Sequence, residues 1–271
     1  MNESYQGLGE ETIYLRHNEI RTDRLTLFFV HGLGSSGSCF EDVFAYPQFG
    51  ESNIIIPDLI GYGRSSSASE KNGYGLNAHI RRLWRLIEGL QLSELVLIGH
   101  SMGADLTTFM CQEDIDGTIK RFVCIESDIT QHETAFSKMA YEAVQRGEFE
   151  AWFARFRDKE GWDMLGASPS GREYWSALRL SRADAFRQDA VDLMARAHAL
   201  PEPYRSEMGA VYCALEIPRV FCYGTESLRS QSLRFLKENG MEVLAFESAG
   251  HSPMMDQPEV FYPFLYDFVR R

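Results

Sequence analysis

Seven short strand-like runs recur along the chain at 12–15, 25–30, 53–56, 95–98, 122–125, 220–223 and 243–246, several of them continuously apolar. A run without a polar face suits a strand covered on both sides, as in a parallel sheet. Helical patterns alternate with these runs. One begins at Asn77, a candidate cap, carries Ile80, Leu83, Trp84 and Ile87 on one stripe, and ends at Gly89. Another covers 227–239 and is closed by Gly240. The last, 258–270, puts Val260, Phe261, Phe264, Leu265 and Phe268 on one face. Pro258 fits its first turn, and Pro263 is expected to kink it or delay its start.

Between 128 and 213 the alternation stops, and four helical stripes follow without a strand pattern. They are Phe136/Met139/Ala140/Ala143, Phe149/Trp152/Phe153/Phe156, Tyr174/Trp175/Leu178 and Phe186/Ala190/Leu193/Met194/Ala197. The first 21 residues are polar and charged, with no apolar leader core, and no stretch approaches a membrane span.

Composition narrows the classes. At 271 residues and 44% hydrophobic content the chain can bury a large core. A net charge of −12 argues against a nucleic-acid partner, whose phosphates need a basic face. The five cysteines are odd in number and lack C-x-x-C spacing, which reads as buried reduced thiols in a cytoplasmic protein.

One pentapeptide moves the reading from fold to chemistry. Gly99-His100-Ser101-Met102-Gly103 follows the run 95–98 and precedes a helical run at 104–112. A nucleophilic serine needs such a sharp strand-to-helix turn, where glycines permit close backbone approach. The helix behind it offers free N–H groups and a positive dipole end where an oxyanion forms. His251, in Ala249-Gly250-His251-Ser252-Pro253, follows the run 243–246, and His31-Gly32-Leu33-Gly34 follows 25–30. The N–H groups of Leu33 and Met102 are the candidate oxyanion donors.

With Pro57-Asp58-Leu59-Ile60-Gly61-Tyr62-Gly63-Arg64-Ser65 added, these motifs resemble the α/β-hydrolase family over nearly the whole chain. The resemblance implies an α/β-hydrolase fold: a mostly parallel eight-stranded sheet flanked by helices, with a helical cap inserted after the sixth strand. It implies a core domain at 1–128 and 214–271 and a cap at 129–213. Aromatic residues of that cap would roof the serine and form most of an apolar pocket.

A triad also needs a carboxylate to orient the histidine. The family most often carries it after the seventh strand as G-x-x-D, where this chain has Gly224-Thr225-Glu226-Ser227. Another placement, as in some haloalkane dehalogenases of this fold, is directly after the sixth strand, where this chain has Ile125-Glu126-Ser127-Asp128. Glu126, held by the sheet itself, is the preferred acid, with Glu226 second and Asp128 third.

Gly32-Leu33-Gly34-Ser35-Ser36-Gly37 also matches a dinucleotide fingerprint, with Asp58 downstream for a ribose. The loop residues around Asp58 and the delayed helix after Gly37 argue against it, and no cofactor is expected. No H-E-x-x-H string or Cys/His cluster points to a metal. His31 and His100 read as structural. His79, His132 and His198 read as surface or packing residues without partners, and Arg81, Arg82 and Arg85 as a solvated face.

The expectation is a serine hydrolase that cleaves a small-molecule ester of a small to medium carboxylic acid through an acyl-enzyme on Ser101, with His251 as base. Carbon–carbon bond, lactone or thioester hydrolysis on the same triad stays open. So does a non-catalytic role in binding a ligand or partner, which the missing aspartate after the seventh strand favours. The oligomeric state is open.

Overall fold

The computed structural model describes residues 1–271. Eight strands form one sheet in the order β1-β2-β4-β3-β5-β6-β7-β8. They are β1 (Asn2–Leu8), β2 (Glu11–His17), β3 (Thr26–Val30), β4 (Asn53–Pro57), β5 (Leu95–His100), β6 (Ile119–Ile125), β7 (Arg219–Gly224) and β8 (Val243–Phe246). From β4 to β8 every pairing is parallel, while β2 runs antiparallel to both of its neighbours. The central strands β3 and β5 are buried along their whole length because both faces are covered: Phe28, Val30 and Leu97 enter one core, and Leu27, Phe29, Val96 and Ile98 the other.

Helices α1 (Leu76–Gly89) and α2 (Met102–Glu113) follow β4 and β5. A helical segment joins β6 to β7: α3 (Ala135–Gln145), α4 (Phe149–Arg155), α5 (Gly161–Leu165), α6 (Pro169–Leu178), α7 (Ala183–Ala197) and α8 (Glu207–Ala214). A π turn at Phe156–Glu160 links α4 to α5. The chain closes with α9 (Ser230–Glu238), α10 (Pro253–Asp256) and α11 (Pro258–Arg270).

Several sequence expectations need correction. The polar N-terminus holds β1, whose exposure alternates because only one of its faces meets the protein. Asn77 lies inside α1 and does not cap it. Gly75 holds the cap position at φ 95°, and Asn77 Oδ1 instead accepts from Arg196 of α7. α9 starts at Ser230, three residues later than expected, and α11 runs through Pro263. The N–H that Pro263 lacks would have paired with the carbonyl of Glu259, which is exposed and open to water.

Arg82 is buried against Glu11, which accepts from both Nε and Nη2, so the basic stripe is only partly solvated. His79 is also buried and has a partner, Asp189 of α7. Asp189 is fully buried and accepts from Tyr62 Oη (2.5 Å) and the Gly75 N–H (2.7 Å), as well as meeting His79 Nε2 (3.1 Å). One carboxylate therefore ties α7 to α1 and to the loop after β4. Asp189→Ala is expected to lower stability by about 3 kcal/mol or more, since each buried group left unpaired costs roughly 1–3 kcal/mol. The urea midpoint measures it; an unchanged midpoint would contradict that tie.

Candidate active site

Ser101 sits between β5 and α2 at φ 53° and ψ −128°, a conformation that side chains other than glycine rarely adopt. The neighbouring glycines make the bend possible. A Cβ on Gly103 would lie 2.1 Å from the Val30 carbonyl oxygen, and one on Gly99 2.3 Å from Thr107 Oγ1. The Ser101 N–H donates to Ile125 O, and Ser101 O accepts from Ala104 and Asp105, so the turn is pinned on both sides. Neither the Leu33 nor the Met102 N–H donates to a protein acceptor, which leaves two main-chain donors free beside the serine. The Leu33 turn is fixed by His31, whose Nδ1–H donates to Gly32 O (2.9 Å) while its Nε2 accepts from the Leu59 N–H (2.9 Å). Complete burial lowers the His31 pKa to about 4, so the ring stays neutral in that bridge.

Glu126 follows β6 directly, at φ 50°. Its buried carboxylate accepts from the Gly224 N–H (2.7 Å) through Oε1 and from Ser227 Oγ (3.1 Å) through Oε2. The same Oε2 lies 3.3 Å from His251 Nδ1. His251 is in the loop between β8 and α10, with its side chain 46% exposed. That loop is held by Asp256, which accepts from the Gly250 N–H (2.9 Å), and by His100 Nε2–H, which donates to His251 O (2.8 Å). Desolvation of the His251 ring works against its charged form. The hydrogen bond and charge of Glu126, with Asp128 and Glu133 behind, outweigh it and raise the imidazole pKa above its ordinary value. His100 is the opposite case: burial, then the neighbouring His251, lower its pKa to about 3.

Ser101 and His251 line one cavity of about 820 Å³ without a direct hydrogen bond between them. Such bonds are often long or unformed in the absence of substrate and tighten when it binds. Glu226 is exposed on the same cavity wall, and its N–H donates to Ala249 O, with no bond to His251. Asp128 also lines the cavity without touching the imidazole. Its N–H donates to Asp105 Oδ1, and its carboxyl is pushed up to about 7 by burial and by Glu133.

Asp58 is occupied elsewhere, accepting from Arg16 Nη1 (2.6 Å), the Gly37 N–H (2.7 Å) and the Arg64 N–H (2.8 Å). Those bonds fasten β2 and two loop segments to a carboxylate that is fully buried and out of a ribose's reach. Ser227 stands where the family most often has aspartate, and its hydroxyl donates to the Glu126 carboxylate, a bond that no local sequence pattern announces. Most of the aromatic residues expected to form the pocket do not reach it. Phe149, Trp152, Phe153, Phe156 and Phe186 are buried against one another, and only Phe136, Tyr174 and Leu193 of the aromatic and aliphatic stripes reach the wall. Serines, carboxylates and histidines make up much of the remainder.

The model of the alpha/beta hydrolase family matches residues 27–264. The chain is 29% identical over 168 residues to the magnesium-chelatase 30 kDa subunit of Rhodobacter capsulatus, covering 58% of this chain and 57% of that protein. The match thus spans little more than half the length of that relative. A carbendazim hydrolyzing esterase of a Nocardioides strain is 28% identical over 103 residues, covering 38% of this chain and 42% of the esterase. Among solved structures, an N-acyl homoserine lactonase complexed with N-butanoyl homoserine superposes with a TM-score of 0.75 at 17% identity, covering 100% of this chain and 97% of the other. At that identity the likeness speaks for the fold alone.

Proposed function

The chain belongs to the alpha/beta hydrolase family, and we propose that it is a serine hydrolase cleaving a small-molecule carboxylic ester. Ser101 Oγ attacks the carbonyl carbon as His251 Nε2 takes its proton, and the N–H groups of Leu33 and Met102 hold the oxyanion. His251 then protonates the departing alkoxide. Water, deprotonated by the same imidazole, attacks the acyl-serine and releases the acid. Glu126 keeps the Nδ1–H tautomer and balances the imidazolium. In this reading 1–128 and 214–271 form the core, and 129–213 is the cap that sets substrate shape. Five unpaired thiols, four of them buried, suit the reducing cytoplasm.

The observation that carries the reading is the 3.3 Å contact of Glu126 Oε2 with His251 Nδ1, in a cavity shared with Ser101. It supports Glu126 as the acid, the role whose vacancy after β7 favoured a non-catalytic reading. The test is covalent labelling with an alkyl organophosphonate. Peptide mass mapping should find the adduct on Ser101, and an unlabelled protein would end the reading.

The raised pKa of His251 fixes a pH dependence. Imidazole is a base only when unprotonated, and raising its pKa moves protonation to higher pH. The acid limb of kcat/KM should therefore have its midpoint at or above about pH 6.5, the unperturbed histidine value. A rate constant with nitrophenyl butanoate that stays level down to about pH 5 would contradict this role for His251.

A further inference from the structure

The cavity wall carries four carboxyl groups, Asp128, Glu133, Glu226 and Asp256, with the pKa of Asp128 pushed up to about 7 and that of Glu133 raised by burial, and one permanent cation, Arg229. Two of the four are engaged: Asp256 by the Gly250 N–H, and Glu133 by the Arg229 N–H and the Ser232 hydroxyl. Asp128 and Glu226 are joined to the protein only through main-chain atoms, so both carboxyl groups are free for a ligand. Arg229 is exposed and forms no ion pair, too little to neutralise the wall. A second, separate feature bears on the same ligand charge. Phe136 of α3 and Tyr174 of α6 stack at 5.6 Å and 19° and both line the cavity, which puts aromatic surface on the wall that carries the carboxyl groups. The Tyr174 hydroxyl is buried there without a partner.

We propose that the ester this cavity takes is cationic, a small carboxylic ester bearing an alkylammonium group that pairs with Asp128 and Glu226. The inference rests on the serine hydrolase reading and names its substrate class. A carboxylate near the reaction centre is costly to desolvate against a neutral ligand and repels an anionic one, whereas an ammonium replaces the water it loses and favours the ionised form of Asp128. The charge of −12 on the whole chain adds a field that draws cations in.

Two matched pairs of esters test it, each pair equal in shape and differing only in nitrogen against carbon. Choline butanoate is compared with 3,3-dimethylbutyl butanoate. The nitrophenyl ester of 4-(trimethylammonio)butanoate is compared with that of 5,5-dimethylhexanoate, and the glutarate half-ester supplies the anionic case. In at least one pair the cationic ester should have a kcat/KM about tenfold or more above its neutral twin, a preference that shrinks as salt rises from about 0.01 to 0.3 M. Asp128→Asn with Glu226→Gln should cut that ratio at least threefold, a comparison internal to the variant and independent of its absolute rate. Equal rates in both pairs, a neutral preference, or fastest cleavage of the glutarate ester would overturn the proposal and leave the hydrolase reading intact. Cleavage of no ester, with no phosphonate adduct on Ser101, would remove both.

Discussion

Replacing Ser101 by alanine should lower kcat for nitrophenyl butanoate by roughly 10⁴–10⁶-fold and leave the fold untouched. Loss of this size follows from the serine's role as the bond-forming atom. Without Oγ no acyl-enzyme forms, and His251 can only activate water at a distance set for another nucleophile. The two main-chain donors remain, which leaves a residue of catalysis above the uncatalysed rate. Stability separates this from a trivial loss of structure. Ser101 Oγ makes no hydrogen bond in the folded protein, so its removal leaves no buried group unpaired, and both side chains meet the same backbone strain at φ 53°. The unfolding free energy should change by less than about 0.5 kcal/mol. A variant that keeps a tenth of the activity would show that another group attacks the ester.

The parts of this molecule legible in its sequence are those whose surroundings are uniform. β3, most of β5 and the 122–125 part of β6 are apolar on both faces because both are covered, and such runs announce themselves. β1 is a half-exposed antiparallel edge, and its register, with Tyr5 opposite Tyr14, comes from pairing with β2 and has no hydrophobic signature of its own. Polar residues buried by distant partners were the least legible. Arg82 meets Glu11 across 71 residues, and His79 meets Asp189 across 110, so helical position alone makes them look solvated.

The candidate site divides along the same line. The Ser101 turn and the strand-end position of Glu126 are local properties and could be read. The use of Ser227 as a donor to Glu126, and the acidic character of the cavity, arise only where β6, β7 and the helical segment converge. Aromatics of the helical segment that look pocket-forming on a helical stripe are consumed by packing on each other, which leaves the wall to other side chains.

Glu126→Gln should cost about 10⁴-fold in kcat while Glu226→Gln changes it by less than about threefold, and the contrast decides which carboxylate serves His251. Glutamine keeps the length of the side chain, and its carbonyl oxygen can still accept from the Gly224 N–H, now 2.7 Å from Glu126 Oε1. Its amide nitrogen then faces His251 Nδ1 and donates where the carboxylate accepted. The imidazole must answer with an unprotonated Nδ1, which puts the proton on Nε2, the atom that has to receive one from Ser101. The fold survives, and the base is lost by tautomer. The pH profile carries an independent sign. Glu126 is the largest favourable influence on the imidazolium, working against desolvation of the ring. Without its charge the His251 pKa falls, and the acid limb of the remaining activity moves to lower pH. A structural defect would scale the profile without shifting it. Should Glu126→Gln retain full kcat, or shift the limb upward, the carboxylate would be a brace for the β7 turn and the charge relationship with His251 would have no catalytic part.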